Sequence, residues 1–129
     1  MKTNFKVLLG LTLIVFLSGC GQTQSTAEKA CQEFKNKSYE AASKAFSGLA
    51  RKNPAYMDQA RDAFNIVEYL KASEQWKKDY ALWEAEQQKP KKPETTKGDF
   101  SRWLDSFPPT APDSKAANQS LENLEIFCK

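Results

Sequence analysis

The fold is decided by residues 54–88, which read PAYMDQARDAFNIVEYLKASEQWKKDYALWEAEQQ. The stretch contains no glycine, and its proline stands at position 54, where the first turn of a helix tolerates it. It therefore predicts a helix from about Tyr56 to Gln88, about 50 Å long at the rise of an α-helix. The sequence leaves open a break between Lys71 and Ser73.

Apolar side chains recur along this helix at intervals of three and four residues, the spacing that places them on one face. They are Ala60, Ala63, Phe64, Val67 and Leu70 in the first half, and Tyr69, Trp76, Tyr80 and Trp83 in the second. The first set predicts a face buried in a helical core. The second set either extends that core or forms an aromatic platform for a sugar ring or a partner helix.

The residues before this stretch predict two shorter helices. Ser25 and Glu28 have the spacing of a capping box, so the first helix is expected from there to about Lys37. Ser38 is the expected N-cap of the second helix, which ends before Pro54 because a residue that precedes proline avoids the helical region. The expected buried stripes are Ala27, Ala30, Cys31 and Phe34 on the first helix, and Tyr39, Ala42, Phe46 and Leu49 on the second.

The residues after this stretch begin with an exposed linker at 89–98, because closely spaced lysines and prolines neither continue a helix nor enter a core. Asp99 is the expected cap of a short helix, on which Trp103 is expected to pack against the aromatic side chains of the long helix. A last helix is expected from Asp113 or Ser114 onward. Its expected buried side chains are Ala117, Leu121, Leu124, Phe127 and Cys128.

No segment shows the alternation of apolar and polar residues that is typical of strands. The chain of 129 residues is short enough for one domain. We therefore expect an all-α protein, a small bundle of about four helices plus one short helix.

The N-terminal residues have the pattern of an export signal. Lys2 and Lys6 precede an apolar run from Val7 to Leu17, which is followed by small and polar residues. A membrane-spanning helix needs about 20 apolar residues, so this run is too short to be one. The pattern predicts a signal peptide.

The end of that run, Leu17-Ser18-Gly19-Cys20, resembles the lipobox of bacterial lipoproteins. The resemblance implies lipid on the Cys20 sulfur and cleavage before Cys20, so that residues 1–19 are the signal peptide. The polar residues that follow then predict a lipidated tether at 20–26, and the helical patterns described above place a helical domain at 27–129. It also implies a location on the extracytoplasmic side of the cell membrane or the outer membrane. The alternative is an ordinary secretory signal, in which the cysteine is incidental.

Cys31 and Cys128 are the two cysteines that remain, an even pair in a compartment where disulfides persist. Both lie on apolar stripes, one on the first helix and one on the last. They predict a disulfide that joins the two ends of the bundle, with a pair of free buried thiols as the alternative.

A partial resemblance to a tetratricopeptide repeat covers Tyr39 to Pro54. Ala42, Phe46 and Pro54 have the spacing of the second helix of that motif. The preceding helix lacks the signature residues of the motif, and no second repeat follows. An ordinary helical hairpin shares the same packing and is the alternative.

The composition indicates which kinds of chemistry to expect. The chain has no histidine, the commonest general base and metal ligand, and it has no glycine-rich phosphate loop. Without Lys2 and Lys6, 17 basic and 16 acidic residues remain, which gives no reason to expect a nucleic-acid partner. Asp58 and Asp62 are the carboxylate pair at helical spacing, and the early acids of a helix explain them without catalysis. We expect no enzyme activity, no cofactor and no metal site.

The function that remains is binding. We expect a lipid-anchored scaffold or assembly factor of the cell envelope, whose partners are the membrane and another envelope protein. The alternative is a module that binds a glycan or a small ligand. In either case the candidate surface is formed by Trp76, Tyr80, Trp83 and Trp103.

Overall fold

A computed structural model of the chain describes residues 18–90, 98, 103–104 and 106–129. The apolar run of the expected signal peptide lies outside these residues, and so does most of the linker and of the short helix. Trp103 and Leu104 are described, and both are helical.

The described residues form four α-helices and no strand, which confirms the all-α prediction. The helices are α1 (Ser18–Lys35), α2 (Tyr39–Lys52), α3 (Met57–Gln87) and α4 (Lys115–Phe127). A 3₁₀ turn, Pro54–Tyr56, joins α2 to α3, and the Asn53 side chain caps it by accepting a hydrogen bond from the Ala55 amide.

The first helix starts earlier than predicted. It begins at Ser18 instead of Ser25, because no proline interrupts the stretch and the helical backbone continues through the capping-box residues. Residues 20–26, which the sequence assigns to a tether, are therefore part of α1.

The turn between α1 and α2 is a Schellman motif centred on Lys37, which has a φ of 60°. The Lys37 amide donates to the carbonyl oxygen of Phe34, and the Ser38 amide donates to that of Glu33, both at 2.9 Å. These two bonds end α1 and reverse the chain. The rings of Phe34 and Tyr39 then pack edge-on across the turn, with centroids 5.9 Å apart.

The core lies between α1, α2, the first half of α3 and α4, and the predicted stripes of α1 and α2 supply most of it. Phe46, Leu49 and Leu124 are buried almost completely. The other buried members of this cluster are Ala30, Phe34, Ala42, Ala63, Ile66 and Cys128.

A disulfide joins Cys31 of α1 to Cys128 at the end of α4, as predicted. The two Cα atoms are 5.3 Å apart, although 97 positions separate the residues in the sequence. The first and last helices of the described fold are therefore held together covalently.

The buried face of α3 differs from the predicted one. Ala63, Ile66 and Val67 are buried, but Phe64 is 54% exposed and Leu70 is 44% exposed. Phe64 is therefore on the solvent-exposed side of α3. Leu70 lies where α2 begins and the neighbouring helices cover less of α3.

The end of α4 also differs. Phe127, which we expected to be buried, is 41% exposed. Its ring packs edge-on against Phe46 at 6.0 Å and Tyr56 at 6.3 Å, so it covers the core from outside.

The long helix has no break at Lys71 to Ser73. The Lys71 ammonium lies 3.6 Å from the Glu40 carboxylate in the first turn of α2, so α2 covers α3 only as far as this level. The remainder of α3 extends about 24 Å past the start of α2, at the usual helical rise. We call this part, residues 72–87, the distal half of α3. None of the helices among the described residues has the length and hydropathy to span a membrane.

Candidate partner-binding surface

The aromatic residues of α3 continue the side of the helix that faces α4. Asp62, Tyr69, Trp76 and Trp83 follow one another at intervals of seven residues, close to two helical turns. Asp62 bonds to α4, and Trp76 bonds to the segment that leads into α4. The aromatic stripe is thus the extension of a packed face beyond the end of the bundle.

The rings of this stripe form a chain of contacts. The centroids of Trp76 and Tyr80 are 5.4 Å apart, those of Tyr80 and Trp83 are 5.6 Å apart, and each pair is tilted by 44°. The indole nitrogen of Trp76 donates a hydrogen bond of 2.8 Å to the carbonyl oxygen of Pro109. Trp76 and Trp83 are half-buried and Tyr80 is exposed, so none of the three belongs to the bundle core.

Trp103 lies on the segment that returns from the distal half of α3. Its ring packs edge-on against Phe107, with centroids 4.8 Å apart, and 56% of the residue is exposed. The Ser106 hydroxyl donates a 2.6 Å hydrogen bond to the Trp103 carbonyl oxygen and tightens this turn. The fourth residue of the predicted surface is therefore exposed at the same end of the molecule as the other three.

Several apolar side chains are exposed beside these rings. Leu82 is 67% exposed, Leu104 is 52% exposed and Phe107 is 53% exposed. We call Tyr80, Leu82, Trp103, Leu104 and Phe107 together the distal surface. Contiguous exposed apolar area of this kind is typical of interaction sites. The sequence placed Tyr80 and Trp103 in the candidate surface but not Leu82, Leu104 and Phe107, since exposure at the end of a bundle has no signature in the local periodicity.

An open groove of about 480 Å³ runs along the distal surface. It is lined by Leu82, Trp83, Ala85, Glu86, Lys89, Leu104, Phe107 and Pro109. The lining combines apolar side chains with one charge of each sign, Glu86 and Lys89.

The carboxylates that the sequence pairs, Asp58 and Asp62, have separate environments. Asp58 is exposed and forms an ion pair with Arg61 at 2.9 Å. Asp62 is buried, and its two oxygens accept hydrogen bonds from Ser120 at 2.9 Å and Asn123 at 3.1 Å on α4. This arrangement holds two helices together and does not resemble an acid–base pair.

The polar contact between α3 and α4 was not predicted from the sequence. Asn65 extends it by donating to the Ser120 hydroxyl at 3.2 Å. A signal was present, because Ala117, Ser120 and Leu124 follow the spacing of a buried face and thereby place the serine inside.

Among the described residues, no group of three or more Cys, Asp or Glu side chains is arranged to hold a metal ion. Cys20 falls in the first turn of α1, and lipid on its sulfur stays a prediction. No family model, no curated protein and no solved structure matches this chain.

Proposed function

We propose that the chain is a lipid-anchored protein on the extracytoplasmic side of the bacterial cell envelope, where it binds another envelope protein as a scaffold or assembly factor. Two features support the location. Residues 17–20 have the lipobox pattern, and the Cys31–Cys128 disulfide is of the kind that persists outside the cytoplasm.

The observation that carries the binding role is the distal surface. It gathers two leucines and three aromatic rings on one end of the molecule, all of them exposed. Tryptophan and tyrosine are enriched among the residues that dominate the energy of protein interfaces. Leucine side chains around them provide the apolar area that excludes water when a partner docks.

The geometry of the rings favours a protein over a sugar. Trp76 and Trp83 are half-buried, and their planes are tilted against Tyr80, so they do not form one flat platform. The Trp76 indole N–H already bonds to Pro109. An uneven apolar surface of this form can pack against the side chains of a protein partner, which fit between the rings.

The alternative is a glycan or small-ligand module, and the groove beside Trp83 favours it. Its volume of about 480 Å³ falls in the range of about 300 to 1,000 Å³ that is usual for ligand sites. A binding isotherm with soluble envelope glycans, followed by tryptophan fluorescence, would support this alternative and count against a protein partner.

The main test is photo-cross-linking in the native membrane. We expect a photoreactive amino acid at Leu82 to give a discrete protein adduct, and the same group at Phe64, which is also more than half exposed but lies on the bundle, to give none. The substitution Leu104→Glu should abolish the Leu82 adduct while the fold is retained, because Leu104 is exposed. Adducts of equal yield at both positions would reject the distal surface as the binding site.

The anchor is tested separately. The intact mass of the protein from native membranes should correspond to residues 20–129 with two or three acyl chains, and Cys20→Ala should prevent this processing. An unlipidated mass for the unmodified sequence would reject the proposed location.

A further inference from the structure

We propose that the turn between α2 and α3 rests on the membrane surface and contacts anionic lipid headgroups, so that the bundle stands on the bilayer with its distal surface directed away from it. This inference rests on the proposed lipid anchor at Cys20. It adds a second contact with the membrane and an orientation.

The first step is the position of Cys20 along the axis of the bundle, compared with that of the α2–α3 turn. Cys20 lies in the first turn of α1, and α1 packs against α2 across the short turn at 36–38, which reverses the chain. Cys20 is about 22 Å before the end of α1, and Lys52 is about 20 Å beyond the start of α2, at the rise of an α-helix. The anchoring residue and the α2–α3 turn are therefore at the same end of the bundle and at nearly the same height.

The second step is that no flexible linker separates Cys20 from the packed part of the bundle. A flexible tether at 20–26 would let the bundle tumble above the bilayer, but these residues are helical and continuous with the packed part of α1. Ala27 already packs against the core, and Ala30 is completely buried. A lipid on Cys20 would thus bring the neighbouring turn to the headgroups.

The third step is the chemistry of that turn. Arg51 and Lys52, in the last turn of α2, are exposed, and neither forms an ion pair with another described residue. Asp58, the nearest acid in the sequence, is neutralised by Arg61 at 2.9 Å. Cationic side chains close to a bilayer are attracted by anionic headgroups.

The apolar part of the turn complements these charges. Pro54, Ala55 and Met57 are exposed, and Met57 is 58% exposed although it begins the longest helix. Exposed apolar side chains flanked by cations are typical of interfacial membrane contacts.

The position of the distal surface follows from the direction of α3. This helix starts at the turn and runs for 31 residues, about 46 Å, away from it. If the turn lies on the bilayer, the distal surface is held several nanometres above the headgroups. The partner would then be met in the aqueous layer and not in the membrane.

The test measures the depth of two labels on the lipidated protein. Nitroxide is attached at Ala55→Cys in the turn or at Ala81→Cys in the distal half of α3, and both parent residues are exposed alanines. In vesicles of phosphatidylglycerol, we expect the label at position 55 to be shielded several-fold from a water-soluble relaxation agent. The label at position 81 should stay fully accessible.

Charge variants identify the headgroup contact. R51Q with K52Q should expose the label at position 55, as should vesicles of phosphatidylcholine, whereas K77Q with K89Q should leave it shielded. Intact mass is measured first. A lipidated protein whose label at position 55 is as accessible as that at position 81 overturns this inference alone, while an unlipidated chain overturns the proposed anchor and this inference together.

Discussion

The carboxylate of Asp62 on α3 accepts a hydrogen bond of 2.9 Å from the hydroxyl of Ser120 on α4, and both side chains are buried. Removing the carboxylate leaves the buried Ser120 hydroxyl without its acceptor, whereas the exposed Asn123 amide can turn to water. We expect Asp62→Ala to lower the free energy of unfolding by about 2 kcal/mol, measured by urea denaturation. Asp58→Asn, on the exposed side of the same helix, should change it by less than about 0.5 kcal/mol. Equal losses in the two variants would contradict a structural role for the buried contact.

The disulfide should contribute a large part of the stability. In the chain-entropy description, closing a loop of this length stabilises the fold by about 4 to 5 kcal/mol. We therefore expect Cys31→Ser with Cys128→Ser to unfold at much lower urea concentration than the oxidised protein. Reduction of the unchanged protein should give the same shift, whereas a reductant that leaves the midpoint unaltered would show that the cross-link is dispensable.

Phe46 and Phe64 provide a matched pair of core and surface phenylalanines. Phe46 is completely buried against α1, α3 and Phe127, and Phe64 is 54% exposed. Phe46→Ala should cost about 3 to 5 kcal/mol of unfolding free energy because it leaves a cavity in the core. Phe64→Ala should cost less than about 1 kcal/mol. The ranking of thermal midpoints checks this prediction, and a reversed order would mean that the face of α3 is wrongly assigned.

Lys37 occupies a left-handed position that glycine adopts without strain, with a φ of 60°. We expect Lys37→Gly to raise the free energy of unfolding by up to about 1 kcal/mol, because the Cβ that crowds the backbone is removed. Lys35→Gly, two residues earlier at the end of α1, should instead lower it by up to about 1 kcal/mol. Destabilisation by both changes would argue against the Schellman turn.

The bond between Trp76 and Pro109 fastens the returning segment to α3. Trp76→Phe keeps an aromatic ring but loses the N–H donor, so we expect faster cleavage of residues 106–113 in limited proteolysis. Tyr80→Phe is the control, since no hydrogen bond of the Tyr80 hydroxyl is found among the described residues. Cleavage that is equally fast in both variants would mean that ring packing, and not the hydrogen bond, holds the segment.

The parts of the fold that depend on local spacing were predictable. The apolar stripe of α2 and the proline at position 54 predicted where this helix begins and ends. Cys31 and Cys128 lie on apolar stripes that face each other. The direction of the α3 face was harder, because Phe64 and Ile66 both fit a helical periodicity. Which of them is buried depends on where α2 and α4 pack, and only the assembled bundle decides that.

The aromatic residues of the candidate surface could be named from the sequence, but whether they are exposed could not. Trp76, Tyr80 and Trp83 could equally have entered a core, had α2 been as long as α3. Because α2 packs along α3 only as far as Lys71, the rings of Trp76, Tyr80 and Trp83 lie beyond the end of the bundle. Helix length relative to a neighbour is a tertiary property, so sequence periodicity alone did not reveal it.

The unequal cover along α3 has a consequence for how its amides exchange with solvent. Between Asp62 and Lys71 the helix is held by α2 and α4, and these amides should exchange with deuterium only when the whole bundle unfolds. In the distal half the described hydrogen bond to another segment is that of Trp76 to Pro109, so its amides should exchange through local opening. A partner bound to the distal surface would slow amide exchange in the distal half of α3. The exchange rates of the amides between Asp62 and Lys71 would change little.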